Sequence, residues 1–108
     1  MGPMMKLMLV MSALAIGAPF GEVFGDLRVG EEYVKEAAIE LKCGTEVVKG
    51  KTDANGSFRL TAKGDGKCTI SVTHDGQTPS VEVVVFAKPA RYRLRLEKKG
   101  DNWTLRRV

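Results

Sequence analysis

Hydrophobic and polar positions divide this chain into two regimes. From Leu7 to Ile16 the residues are apolar with Ser12 as the one break, whereas beyond residue 20 apolar and polar positions alternate in short runs separated by Gly, Asp and Asn. A period of two marks a strand with one face buried, and such runs at short intervals between turn residues indicate an all-β sandwich or barrel. Residues 21–28 read as a first strand. Ala37, Ile39, Leu41 and Cys43 then alternate with Ala38, Glu40 and Lys42, and the chain turns at Gly44-Thr45 into 46–52. Phe58, Leu60 and Ala62 share one face of the next strand, and Cys68, Ile70, Val72 and His74 one face of the strand after it. Val81, Val83 and Val85 alternate with Glu82, Val84 and Phe86, a strand expected to be buried on both faces. Tyr92, Leu94 and Leu96 pair across Lys99-Gly100-Asp101-Asn102 with Trp103 and Leu105 as a closing hairpin. Residues 30–35 are expected to form a loop with one helical turn around Glu31-Glu32-Tyr33. The pattern predicts a seven- to eight-stranded antiparallel β-sandwich with a C-terminal β-hairpin.

The opening segment changes the reading of compartment. Lys6 followed by the apolar run and by the small residues Ala13, Ala15 and Gly17 has the layout of a secretory signal peptide. The run is shorter than the roughly 20 apolar residues that cross a bilayer. Cleavage is expected after Gly17, because Pro19 would directly follow a cut after Ala18. This divides the chain into a signal peptide at 1–17 and a β-sandwich domain at 18–108, secreted or extracytoplasmic, with no stable membrane span after cleavage. The alternatives are a retained hydrophobic anchor or a buried first helix.

Export gives the two cysteines a meaning. Cys43 and Cys68 form one even pair with neither a CxxC nor a cluster of histidines around them, which in an oxidising compartment favours a disulfide over a metal site or catalytic thiol. Both fall on the apolar face of their strands, so both thiols point to one core. A bridge joining the end of the second strand to the start of the fifth requires those strands to run antiparallel. It would stabilise the fold by roughly 3 kcal/mol through loop closure. Two free thiols are the alternative.

Charge is distributed unevenly. Residues 88–108 hold eight basic and two acidic side chains, a net of +6, while the stretch from Ala18 to 87 is −3. Arg91, Arg93 and Arg95 alternate with Tyr92, Leu94 and Leu96, so three guanidinium groups project from one face, and Arg106 joins them if the hairpin register allows. Guanidinium forks match carboxylate and phosphate oxygens, so this face is a candidate for an anionic partner; the alternative is a solvated face balanced by Glu82 and Glu97. Tyr92 and Trp103 read as core, which leaves no aromatic platform for nucleic acid.

The order Gly21-Glu22-Val23-Phe24-Gly25, Ala37-Ala38-Ile39-Glu40-Leu41, Thr52-Asp53-Ala54-Asn55-Gly56-Ser57-Phe58 and Gly66-Lys67-Cys68-Thr69-Ile70-Ser71-Val72 resembles the carboxypeptidase regulatory-like domain, a transthyretin (prealbumin)-like sandwich. The resemblance spans about residues 21–86, and its most specific part is the Thr-Asp-x-x-Gly-x-Phe turn, here Thr52, Asp53, Asn55, Gly56 and Phe58. Cys68 stands where that family usually has an aromatic residue. The resemblance implies a transthyretin/Ig-like sandwich and a non-catalytic module of secreted and cell-surface proteins, with no catalytic residues to carry across.

Candidate chemistry is sparse. His74 is the single histidine, so a paired-histidine metal site is excluded. Hydroxyisourate hydrolase and the intradiol dioxygenases, relatives of the same fold, require several histidines; this chain also ends in Trp103-Thr104-Leu105-Arg106-Arg107-Val108 rather than the hydrolase's Tyr-Arg-Gly-Ser tail. Asp53 and Asn55 resemble the start of a calcium loop, but the sixth and twelfth positions are Phe58 and Gly64 rather than Gly and Glu. The first strand has no lysine for an isopeptide bond. The sequence therefore predicts no catalytic residues, no metal and no cofactor. It points to a module that binds a protein or an anionic extracellular polymer. The alternative is a structural subunit, a homo-oligomer that assembles through edge strands and through attraction between its acidic body and basic tail.

Overall fold

A computed structural model of the protein describes residues 21–108; the expected signal peptide at 1–17 lies outside them. Among the described residues there are nine strands and no helix: β1 (Gly21–Val29), β2 (Glu32–Tyr33), β3 (Ala38–Cys43), β4 (Glu46–Lys51), β5 (Ser57–Ala62), β6 (Gly66–Val72), β7 (Ser80–Val85), β8 (Ala90–Lys99) and β9 (Asn102–Arg107). They form two sheets packed as a sandwich. In the first, β1 is flanked on one side by β5 and β2 and on the other by β8, which pairs with β9; the second has the order β4-β3-β6-β7.

Alternation in sequence becomes alternation in burial. Val23, Leu27, Phe58, Leu60, Leu94, Leu96 and Leu105 of the first sheet pack on Ile39, Leu41, Ile70, Val72, Val83 and Val85 of the second. Cys43 and Cys68 are joined by a disulfide with Cα atoms 4.5 Å apart. They fall next in line after the Lys42–Thr69 pair of the antiparallel β3–β6 ladder, so the bridge links neighbouring strands of one sheet. The short Cα separation suits the non-hydrogen-bonded pair position of such a ladder.

Three expectations are corrected. Residues 30–35 contain no helical turn: Gly30, at φ 61°, reverses the chain so that β2 pairs back on β1, with Arg28 opposite Tyr33. This raises the strand count to nine. The sheets are not wholly antiparallel, because β1 and β8 run parallel from Val23–Ala90 to Val29–Leu96. The connection between them passes through the whole second sheet, so no tight turn dictates their relative direction. Finally, β7 is not buried on both faces. Glu82 is exposed, Val84 half-buried, and Phe86 lies beyond the strand end and is 57% exposed.

The Thr-Asp-x-x-Gly-x-Phe turn has a physical basis at each position. Thr52 is 2% exposed, and its Oγ1 accepts the Ala37 N–H at 2.8 Å and donates to the Val34 carbonyl at 2.7 Å. Asp53 Oδ1 accepts the N–H groups of Asn55 (2.8 Å) and Ser57 (2.9 Å). Gly56 adopts φ 73° with its Cα against Tyr33 and the Leu27 carbonyl, where a Cβ would collide. Phe58 enters the core.

Side chains also occupy the sheet edges. The Tyr92 hydroxyl accepts the Val84 N–H and donates to the Val84 carbonyl, both at 3.0 Å, across the two sheets. The Gln77 amide accepts the Trp103 N–H and donates to the Asp101 carbonyl, both at 2.8 Å. Tyr92 and Trp103 are thus half-buried against the core, with their polar groups in use.

Candidate functional site

The outward face of the first sheet is assembled by register. Because β1 lies parallel to β8, Phe24 is opposite Arg91, Asp26 opposite Arg93 and Arg28 opposite Arg95. The antiparallel β8–β9 hairpin sets Arg106 opposite Arg95, and β5 sets Arg59 opposite Phe24 and Ser57 opposite Asp26. The result is a lattice of rows. One reads Arg59-Phe24-Arg91, the next Ser57-Asp26-Arg93, and the third Tyr33-Arg28-Arg95-Arg106. Neighbouring strands are about 4.8 Å apart and successive same-face rows about 6.7 Å apart. Six of the seven arginines of the chain lie on this face, against the carboxylates of Glu22, Asp26 and Glu97.

Gly25 allows the close approach that sets this register. A Cβ there would run into the Tyr92 carbonyl of β8, so a larger residue would push apart the strands that carry the first two rows.

The arginines differ in what they touch. Arg59 Nη1 donates to Glu22 Oε2 at 2.6 Å, with its guanidinium carbon 5.4 Å from the Phe24 ring centroid. Arg106 Nε donates to Glu97 Oε2 at 2.9 Å. Arg28 stacks 5.6 Å over Tyr33. Among the described residues Arg91, Arg93 and Arg95 have no carboxylate within ion-pair distance; the ion pairs present are Lys51–Glu36, Arg59–Glu22 and Arg106–Glu97. Among the described residues two buried side-chain atoms lack a hydrogen-bond partner, and both are on this face: Asp26 Oδ1 and Arg95 Nε. At the β5 end of the face an open hollow of about 500 Å³ has Phe24, Ser57, the cations Lys51, Arg59 and Arg91, and the carboxylates of Asp26 and Asp53 in its lining.

The sequence identified Arg91, Arg93, Arg95 and Arg106, and the structure brings these four together. Arg28 and Arg59 were missed. Their outward orientation was legible from the parity of Leu27 and Phe58, but their placement beside β8 follows from pairings that no local signal encodes. Glu82, expected to balance the arginines, is on the second sheet, in β7 opposite Thr69. His74 forms a backbone bridge with Gln77 around the Asp75-Gly76 turn and meets the Trp103 ring edge-on at 4.5 Å, while Trp103 Nε1 donates to Asp75 Oδ2 at 3.1 Å. Among the described residues no group of three His, Cys, Asp or Glu side chains is placed to hold a metal ion, and no helix is long and apolar enough to cross a membrane.

No protein-family model matches the chain, and no curated protein matches it.

Proposed function

We propose that this chain is an exported, non-catalytic β-sandwich module that binds an anionic partner through the outward face of its first sheet. The observation that carries the reading is the third row, in which Arg28, Arg95 and Arg106 stand opposite one another on three adjacent strands. Like charges directly opposite across a sheet are destabilising, and only the outermost of these guanidinium groups has a carboxylate, Glu97, at hand. An anion laid over the row would relieve that repulsion. The Cys43–Cys68 disulfide and the leader-like opening support export. The roles of Thr52, Asp53, Gly56 and Phe58 in their turn support a transthyretin-like type of sandwich. His74, packed on Trp103, supports the non-catalytic reading.

The test is a fluorescence-anisotropy titration of the purified, oxidised protein with labelled inorganic polyphosphate at low and high salt. Saturable binding that weakens with salt and falls by about tenfold or more in Arg95→Ala, the central position of that row, is expected. No binding at low salt overturns the reading. Self-assembly through the β7 and β9 edges is disfavoured because Tyr92 and Gln77 occupy backbone groups of Val84 and Trp103 that an added strand would need. A salt-sensitive oligomer on sizing would restore it.

A further inference from the structure

The anion-binding reading leaves the ligand's chemistry open, and the hollow at the β5 end of the arginine face narrows it. Its lining is not that of a simple anion site. Arg91 and Lys51 supply donors and positive charge, Arg59 adds charge while paired with Glu22 and lying over one face of the half-buried Phe24 ring, and Ser57 supplies an exposed hydroxyl. Two carboxylates stand among these cations, Asp53, whose Oδ1 is taken up by the Asn55 and Ser57 N–H groups of its own turn, and Asp26. A bare polyanion gains from the cations and is repelled by Asp26. A ligand bearing both carboxylates and hydroxyl groups uses all of them: its carboxylate accepts from a guanidinium fork, its hydroxyls donate to the Asp26 carboxylate, and its C–H face lies on the aromatic ring.

We infer that the hollow formed by Phe24, Asp26, Ser57, Arg59 and Arg91 is a binding site for a uronate-bearing acidic polysaccharide. One sugar unit occupies the hollow, and the chain continues along β8, where Arg93 and Arg95 repeat the cationic positions about 6.7 Å apart. The inference rests on the anion-binding reading and extends it from charge to chemical class. Asp26 is the discriminating residue, because the two kinds of ligand respond to its removal with opposite sign.

The experiment is calorimetric titration of the purified oxidised protein with oligogalacturonate and, separately, with inorganic polyphosphate of matched charge. Wild-type protein is expected to bind both. In Asp26→Ala, oligogalacturonate binding should weaken by about tenfold, the effect of losing one hydrogen bond to a charged group, while polyphosphate binding should strengthen. Phe24→Ala provides a second variant should Asp26→Ala fail to fold. It should weaken oligogalacturonate binding several-fold and leave polyphosphate binding no weaker. Near-UV circular dichroism checks the fold of each variant. Strengthened binding of both ligands in Asp26→Ala, or equal loss of both in Phe24→Ala, overturns the polysaccharide inference and leaves the anion-binding reading standing. Binding of polyphosphate without oligogalacturonate does the same. If neither ligand binds wild-type protein, both readings fall together.

Discussion

Each of the two sheets turns one face to solvent, and the two faces are dressed by different rules. On the second sheet Glu40 stands opposite Lys49 and Ser71, Thr69 lies between Lys42 and Glu82, and Ser71 faces Ser80. No two like charges stand opposite each other there, and every cation in its strands is a lysine. On the first sheet six arginines share the outward face, three of them in one row, and among the described residues the two unpartnered buried polar atoms belong to Asp26 and Arg95. A face selected only for solubility would resemble the second sheet. Lysine is a hydrated point charge that favours solvent, whereas the guanidinium group carries a planar donor fork suited to carboxylate and phosphate. On the proposed anion-binding reading, the difference teaches that the first sheet gives up some stability for a surface suited to recognition.

The strongest way to break this comparison is to erase each face in turn. The triple variant Arg91→Ala/Arg93→Ala/Arg95→Ala is expected to weaken polyanion binding by at least about a thousandfold, since each charge-assisted contact contributes about 1.5–3 kcal/mol. The matched set Lys42→Ala/Lys49→Ala/Lys67→Ala removes the same formal charge from the second sheet and should change affinity by less than about threefold. Fluorescence anisotropy with one labelled polyanion measures both. Comparable losses would mean that net charge, not the arginine lattice, determines binding.

A smaller effect separates the sheets by what holds them. The disulfide lies wholly within the second sheet and closes a loop of sequence separation 25. Replacing both cysteines by alanine should lower unfolding free energy by about 3 kcal/mol, measured by urea denaturation. Polyanion affinity at a temperature where the variant remains folded should be unchanged, because no arginine of the face touches the bridge. A parallel fall in affinity would couple the two faces and blur the distinction between them.

Next in size is Thr52→Val, at the crossing from the second sheet to the first. The substitution keeps the shape but leaves the Ala37 N–H and the Val34 carbonyl without their partner. The expected loss is about 2 kcal/mol by thermal or urea unfolding. Since the same crossing delivers Ser57 and Arg59 to the arginine face, the hollow should feel the change before the β8–β9 rows do.

How much of this was legible before the structure depends on range. The alternation of Ile39, Leu41 and Cys43, and of Cys68, Ile70 and Val72, gave both the strands and the facing thiols, because period-two burial is a local property of the chain. The same parity placed Arg91, Arg93 and Arg95 on one side of β8. The hairpin at Gly100-Asp101 is marked by its turn residues, but its register was open in the sequence, and only the pairing of Arg95 with Arg106 in the structure brings Arg106 to the face. What sequence could not convey was pairing between distant segments. Arg28 and Arg59 join the site through β1–β8 and β1–β5 ladders that bring together residues more than 30 positions apart. The two-residue β2 was hidden because Glu31-Glu32 favours helix as readily as strand until Gly30 turns the chain back.

The smallest expected effect tests the premise that the arginine row is costly. Arg95 is half-buried, stands between Arg28 and Arg106, and its Nε is buried without an acceptor. Methionine keeps much of the aliphatic stem and removes both the charge and the unpartnered donor, so Arg95→Met should raise stability by about 0.5–1 kcal/mol. Part of that gain comes from relieved repulsion and should shrink as salt rises, because exposed charges are screened over about 10 Å at 0.1 M ionic strength. The remainder comes from the buried donor and should persist. Urea unfolding of wild type and Arg95→Met at low and high salt reads both parts, and polyanion affinity should fall in the same variant. Opposite signs for stability and binding at one position mark a residue kept for recognition. A variant less stable than wild type at low salt would show instead that Arg95 helps to hold the sheet together, and would remove the contrast with the lysine-bearing face.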